Sequence, residues 1–314
     1  MDIVLRTHQL TKQYGKKTAV DGVNMTVQRG EIYGFLGQNG AGKTTTLRMI
    51  TGMVKPTAGT IELFGSTVNR RQHRLYQRMG TIIETPGAYR NLTAWENLDM
   101  HRRLMGVPEK ERVEEILELV GLTEARNVKY KKFSLGMKQR LGIGRALLHQ
   151  PEFLVLDEPT NGLDPQGIKE IRQLLRNLAE KRKITILISS HILSEIQQLA
   201  TKIGIIHQGK LLEEIDYEAL QRKNRHYLQL KVSDDRRASF LLENRMQIAD
   251  YQVAEPGVLR VYERLQESAR INRLLIENGV DIAEAVLMRD TLEDYFIRLT
   301  GVRVNGTHPE RRGA

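Results

Sequence analysis

Short apolar runs set the rhythm of this chain. Ile32-Tyr33-Gly34-Phe35-Leu36, Phe153-Leu154-Val155-Leu156 and Ile184 to Ile188 are strand-sized and lack an alternating polar face, so they read as buried strands. Helical patterns lie between them. Thr45 to Ile50 begins one, Thr93-Ala94-Trp95-Glu96 is a capping box that opens another, and Lys110 to Val120 puts Val113, Ile116, Leu117 and Val120 on one face. Trp95, the single tryptophan, reads as buried packing. Near Arg225 the pattern changes. Tyr227 to Val232 alternates like a strand, Ala238 to Asn244 is helical, and Gln252 to Glu263 is a hairpin around Glu255-Pro256-Gly257. Ser268 to Asn278 is helical again, Ala285 to Met288 is a strand, and Leu292 to Leu299 a closing helix. That order, βαββαβ plus a helix, predicts a small α+β domain of ferredoxin-like type. No internal repeat appears, and no run approaches the roughly 18 apolar residues of a membrane span. Asp2, Arg6 and His8 interrupt the start, which is unlike a signal peptide, so a cytoplasmic chain is expected.

Composition narrows the chemistry. The chain has 314 residues and no cysteine, which excludes a disulfide scaffold, thiolate metal sites and a thiol nucleophile. Its 48 Lys and Arg against 38 Asp and Glu leave a net charge of +10, pointing to nucleic acid or an anionic membrane surface as a neighbour.

One segment is strongly informative. Gly37-Gln38-Asn39-Gly40-Ala41-Gly42-Lys43-Thr44-Thr45 matches the phosphate-loop pattern G-x-x-x-x-G-K-[ST], with an apolar strand before it and a helix after. Backbone N–H groups and a helix start form an anion site there. Lys43 is placed to reach the β- and γ-phosphates, and the Thr44 hydroxyl to ligate Mg²⁺. The run Phe153 to Leu156 ends in Asp157-Glu158, and a sheet edge that delivers two carboxylates suits the same nucleotide. Asp157 is expected to hold Mg²⁺, and Glu158 to polarise the attacking water as general base. The run Ile184 to Ile188 leads to Ser189-Ser190-His191, and that histidine can meet a γ-phosphate.

In this order the motifs resemble the ATP-binding subunit of an ATP-binding cassette (ABC) transporter. The distinguishing stretch is Phe133-Ser134-Leu135-Gly136-Met137-Lys138-Gln139-Arg140, similar to the L-S-G-G-Q signature. The resemblance implies that Ser134 and Gly136 donate to ATP held by a second subunit; Leu135 and Met137 depart from the consensus. It places Tyr14 on the adenine and His191 as the switch histidine. It makes Asn161-Gly162-Leu163-Asp164 the loop that passes information between two sites. Where the family has a glutamine after the strand Gly80 to Ile83, this chain has Glu84, a possible ligand of the metal or its water. A glutamate there, with the Ser-Leu-Gly-Met-Lys-Gln signature, looks like the bacitracin and lantibiotic self-protection subfamily.

The expected fold is therefore α/β: a P-loop NTPase, ABC-type nucleotide-binding domain over 1–220 with a helical subdomain over about 85–148. An accessory α+β domain over 225–300 and a flexible tail over 301–314 follow. Its role implied by the resemblance is to bind and hydrolyse ATP, with Mg²⁺, for a separate membrane permease that exports peptide antibiotics. Such a chain pairs with a second ATP-binding subunit, a homodimer first of all, and lies peripherally on the inner membrane face. Export of another lipid, drug or polysaccharide, or a soluble ATPase acting on nucleic acid or ribosomes, are the alternatives. Residues 66–145 hold 16 basic and 9 acidic side chains, against 16 and 14 in residues 221–314. The positive surplus thus concentrates around the helical insertion, on the side expected to meet permease and anionic lipid, and nucleic acid is not needed to explain it.

Overall fold

A computed structural model describes residues 2–68, 73–84, 87–223, 226–289 and 292–301. The tail expected over 301–314 lies, beyond Gly301, outside the described residues. The chain divides after Tyr217 into two compact units.

In the first unit, β1 (Ile3–Tyr14), β2 (Lys17–Val23) and β3 (Thr26–Gln28) precede β4 (Ile32–Leu36), which passes through the glycine loop into α1 (Lys43–Ile50). Then come β5 (Ala58–Leu63), β6 (Ser66–Thr67), α2 (His73–Tyr76) and β7 (Met79–Ile82). Three helices follow: α3 (Ala94–Leu104), α4 (Arg112–Leu119) and α5 (Leu135–Leu147). β8 (Phe153–Asp157), α6 (Pro165–Arg182), β9 (Thr185–Ser190), α7 (Leu193–Gln197), β10 (Lys202–His207) and β11 (Lys210–Asp216) complete it.

Every residue of β4, β8 and β9 is buried, as their unbroken apolar pattern requires of strands covered on both faces. They are central in a six-stranded sheet of order β11-β10-β4-β9-β8-β7, parallel except where β11 joins β10. A second, antiparallel sheet runs β2-β1-β5-β6, with β3 also on β1. Phe35, Leu47, Met49, Ile50, Val155 and Leu187 join Val4, Leu5 and Val27 in one core beneath the phosphate loop. Register then fixes the functional edge. Phe35 and Asp157 both stand opposite Ser189, and Leu36 opposite Ser190, so the C-terminal ends of β4, β8 and β9 lie side by side.

The capping box forms as read: the Thr93 hydroxyl accepts from the Glu96 N–H and the Glu96 carboxylate from the Thr93 N–H. Val113, Ile116, Leu117 and Val120 are all buried. Trp95 differs from the expectation. It is only half-buried, because its indole N–H donates to Glu114 at 2.8 Å and Lys110 sits over its ring. A polar edge and an overlying cation keep the ring at the surface.

α8 (Tyr217–Lys223) starts at the division. In the second unit, β12 (His226–Val232), α9 (Asp235–Met246), β13 (Tyr251–Glu255), β14 (Val258–Val261), α10 (Ser268–Glu277), β15 (Ile282–Arg289) and α11 (Leu292–Thr300) follow in order. The sheet order is β13-β14-β12-β15 with every pair antiparallel, which is the ferredoxin-like arrangement. Leu228, Leu230, Val232, Leu259 and Val261 pack with Leu242, Ile271 and Leu275 as its core.

Candidate functional site

The phosphate loop joins the end of β4 to α1. Gly42 caps α1 without any side-chain bond, so the first N–H groups of the helix face the loop. Its φ is +107°, and a Cβ there would lie 2.7 Å from the Ala19 carbonyl oxygen, so only glycine fits. Ala41 is buried in the core beneath the loop. Asn39, Gly40, Gly42, Lys43, Thr44 and Thr45 line a cleft of about 460 Å³. Glu158 lines it too, as do Lys17, Thr18, Ala19, Gln208 and Gly209 from two hairpin regions.

Lys43 is the charged centre of the cleft and only 4% exposed. A cation so buried must be compensated. Its Nζ donates to the carbonyls of Gly37 at 2.7 Å and Gln38 at 3.1 Å, and lies 3.2 Å from Glu158 Oε1. The other carboxylate oxygen of Glu158 is 3.1 Å from His191 Nδ1. Glu158 therefore bridges the phosphate-loop lysine and His191. It does so from a left-handed backbone conformation, φ +47°, uncommon for a residue with a side chain. Its N–H donates to the Ser189 carbonyl at 3.2 Å and hydroxyl at 3.0 Å. The Ser189 hydroxyl in turn donates to Asp157, itself buried. Ser189, not singled out for a role from the sequence, thus positions both acids; the signal was its place opposite Asp157 in the register.

Other predicted residues stand apart from this cluster. Tyr14 ends β1, paired with Lys17 of β2; its ring is 48% exposed with Lys12 over it. Ser134 caps α5, accepting from the Met137 N–H at 3.2 Å, and Gly136 follows in the first turn. Asp164 caps α6, accepting from the Gly167 N–H at 3.2 Å. None of these four lines the cleft. Glu84 is not gathered there either. It is exposed and ion-paired with Arg48 of α1, 36 positions away in the chain.

A glycine-walled cleft at a helix start, with one buried ammonium, suits a polyphosphate, and Glu158 beside it suits water activation. Comparisons agree. The family model described as "ABC transporter" matches residues 20–161. The chain is 52% identical over 301 residues to the bacitracin transport ATP-binding protein BcrA of Bacillus licheniformis, covering 96% of this chain and 98% of that protein. It is 44% identical over 215 residues to the lantibiotic transport ATP-binding protein SrtF of Streptococcus pyogenes, covering 68% and 92%. Among solved structures, a post-hydrolysis dimer of the ATP-binding cassette MJ0796 with ADP and Pi aligns at a TM-score of 0.61 and 26% identity, over 68% of this chain and 98% of that one. CbiO1 of Clostridium perfringens aligns at 0.65 and 25%, over 79% and 98%. Site and similarity converge: this chain belongs to the ATP-binding subunits of ABC transporters and is an ATPase.

Proposed function

We propose that this subunit powers an export permease that protects the cell envelope from bacitracin-like or lantibiotic-like peptide antibiotics. The carrying observation is the 52% identity to a bacitracin transport ATP-binding protein along 96% of this chain, the second unit included. The 1–220 region acts as the nucleotide-binding domain, its helical part over 85–148 meeting the membrane partner, with 225–300 as accessory domain. Two chains close on two ATP molecules. Each site takes Tyr14, the loop Gly37 to Thr45, Asp157, Glu158 and His191 from one chain. Ser134 and Gly136 come from the other.

Incoming phosphate oxygens replace Gly37, Gln38 and Glu158 around the Lys43 ammonium, which frees Glu158 to accept a proton from water. His191 then holds that water and the γ-phosphate in line. Mg²⁺ fits the donors available, a threonine hydroxyl at 44 and a carboxylate at 157, both hard oxygen ligands. When bound it neutralises developing phosphate charge. Glu84 serves the metal only after release from Arg48.

A peripheral place on the inner membrane face is supported by surface chemistry. Met53, Tyr89, Leu104 and Met105 are exposed apolar residues, and a groove of about 450 Å³ holds Met53, Met105, His101, Arg145 and His149 without any acid. No helix among the described residues is long and apolar enough to cross a membrane, so the pore falls to the partner. The test is drug susceptibility. Loss of the gene should sensitise cells to bacitracin or lantibiotics and not to unrelated antibiotics, with rescue by the parent and none by Glu158→Gln. Sensitivity to an unrelated lipid or drug alone would reassign the cargo.

A further inference from the structure

Glu158 sits at φ +47°, a conformation that disfavours any side chain. Such a backbone persists only where its surroundings over-determine it. One tie is its own N–H, which donates to the Ser189 carbonyl and hydroxyl. Pro159, next in the chain, has no N–H to offer. The following tie is made by a side chain. The hydroxyl of buried Thr160 donates to Glu195 Oε2 of α7 at 2.5 Å, and the hydroxyl of buried Ser190 donates to the same oxygen at 3.3 Å. Ser190 directly precedes His191, and its carbonyl accepts from the Gly37 N–H of the phosphate loop at 3.3 Å. One carboxylate oxygen thus joins the segment that carries Glu158 to the strand end that carries His191. The other oxygen, Oε1, is buried without a hydrogen-bond partner among the described residues. A bare buried acceptor costs stability, so Glu195 contributes little to holding the fold.

We propose that Glu195 is a positioning residue for ATP hydrolysis: it clamps Thr160 to Ser190 and so holds the Glu158 carboxylate against His191. The inference rests on the general-base role given to Glu158 above. Without the clamp the chain is free at Thr160, and the strained backbone of Glu158 relaxes towards the commoner negative-φ regions. Its carboxylate then leaves the 3.1 Å contact with His191 Nδ1. A general base displaced by ~1 Å loses much of its effect on the rate, while the phosphate loop still binds ATP.

The experiment is steady-state ATP hydrolysis by the purified full-length chain, with the melting temperature measured on the same samples. Glu195→Ala and Thr160→Val should each lower kcat about tenfold or more. KM for ATP and the melting temperature should stay close to the parent's. Glu195→Gln, whose amide oxygen can still accept from Thr160, should keep most of the parent kcat. Thr160→Val reads the same contact from its other side should Glu195→Ala fail to fold. In a Glu158→Gln background, Glu195→Ala should lower the remaining rate no further, because its effect passes through Glu158. Losses that multiply would overturn the proposal. So would parent kcat in Glu195→Ala and Thr160→Val, or a fall in melting temperature that accompanies the fall in rate, or a Glu195→Gln as slow as Glu195→Ala. Glu158→Gln alone at the parent rate would instead remove the general base, and the clamp with it.

Discussion

Lys43 and Glu158 hold one another in a cleft suited to phosphate, and each is placed by a neighbour that carries no charge. The loop carbonyls of Gly37 and Gln38 fix the ammonium, while Ser189 fixes the backbone of Glu158 and the Asp157 carboxylate. The absence of a side chain at Gly42 matters as much as the charges. Gly42→Ala would put a methyl against the Ala19 carbonyl at a φ that disfavours it, so the loop must move. Affinity for ATP should fall by at least tenfold in a titration, with the fold intact by circular dichroism. The phosphate loop and the acid pair were legible in the sequence because their residues are contiguous and their roles follow from residue type. Lys17, Thr18, Gln208 and Gly209 were not, since they reach the cleft only through the folding of distant hairpins. The Glu84–Arg48 pair was hidden for the same reason: its members are 36 positions apart and meet only when β7 and α1 are placed.

At the scale of elements, the unbroken apolar runs announced β4, β8 and β9, since strands covered on both faces have no polar side to show. Capping chemistry announced α3 in the same way. Trp95 misled because burial of a large ring is an average tendency, and here its N–H has a surface partner in Glu114. Packing of α3 beside α5 creates a titration that sequence alone does not suggest. His101 of α3 is held down to about 4, first by burial and then by the facing charges of Arg145 and His149. Its unfolded value is near 6.5, so between pH 6.5 and 4 the unfolded chain binds more protons than the folded one. Stability contributed by neutral His101 is therefore complete above pH 6.5 and is lost as pH falls towards 4. In urea melts, His101→Gln should show a shallower drop in midpoint from pH 7 to pH 4.5 than the parent. An identical drop in both would remove His101 from that dependence.

The whole molecule combines an ATPase unit with a small ferredoxin-like unit after Tyr217. The latter was readable as an order of elements, and its sheet order followed once the hairpin and two crossings were placed. Nothing in its pattern announces chemistry, and its place in the account comes from a relative that shares it along 98% of its own length. The excess of basic residues over 66–145 accords with the proposed membrane partner and anionic lipid. The proposed hydrolysis depends on one carboxylate, because Glu158 touches the phosphate-loop lysine and His191 at once. The direct measurement is the rate of ATP hydrolysis by purified Glu158→Gln beside the parent, with ATP binding measured on the same samples. Binding should be retained and the rate lowered by about 10² or more, the scale of a lost general base. Hydrolysis at the parent rate would contradict that role.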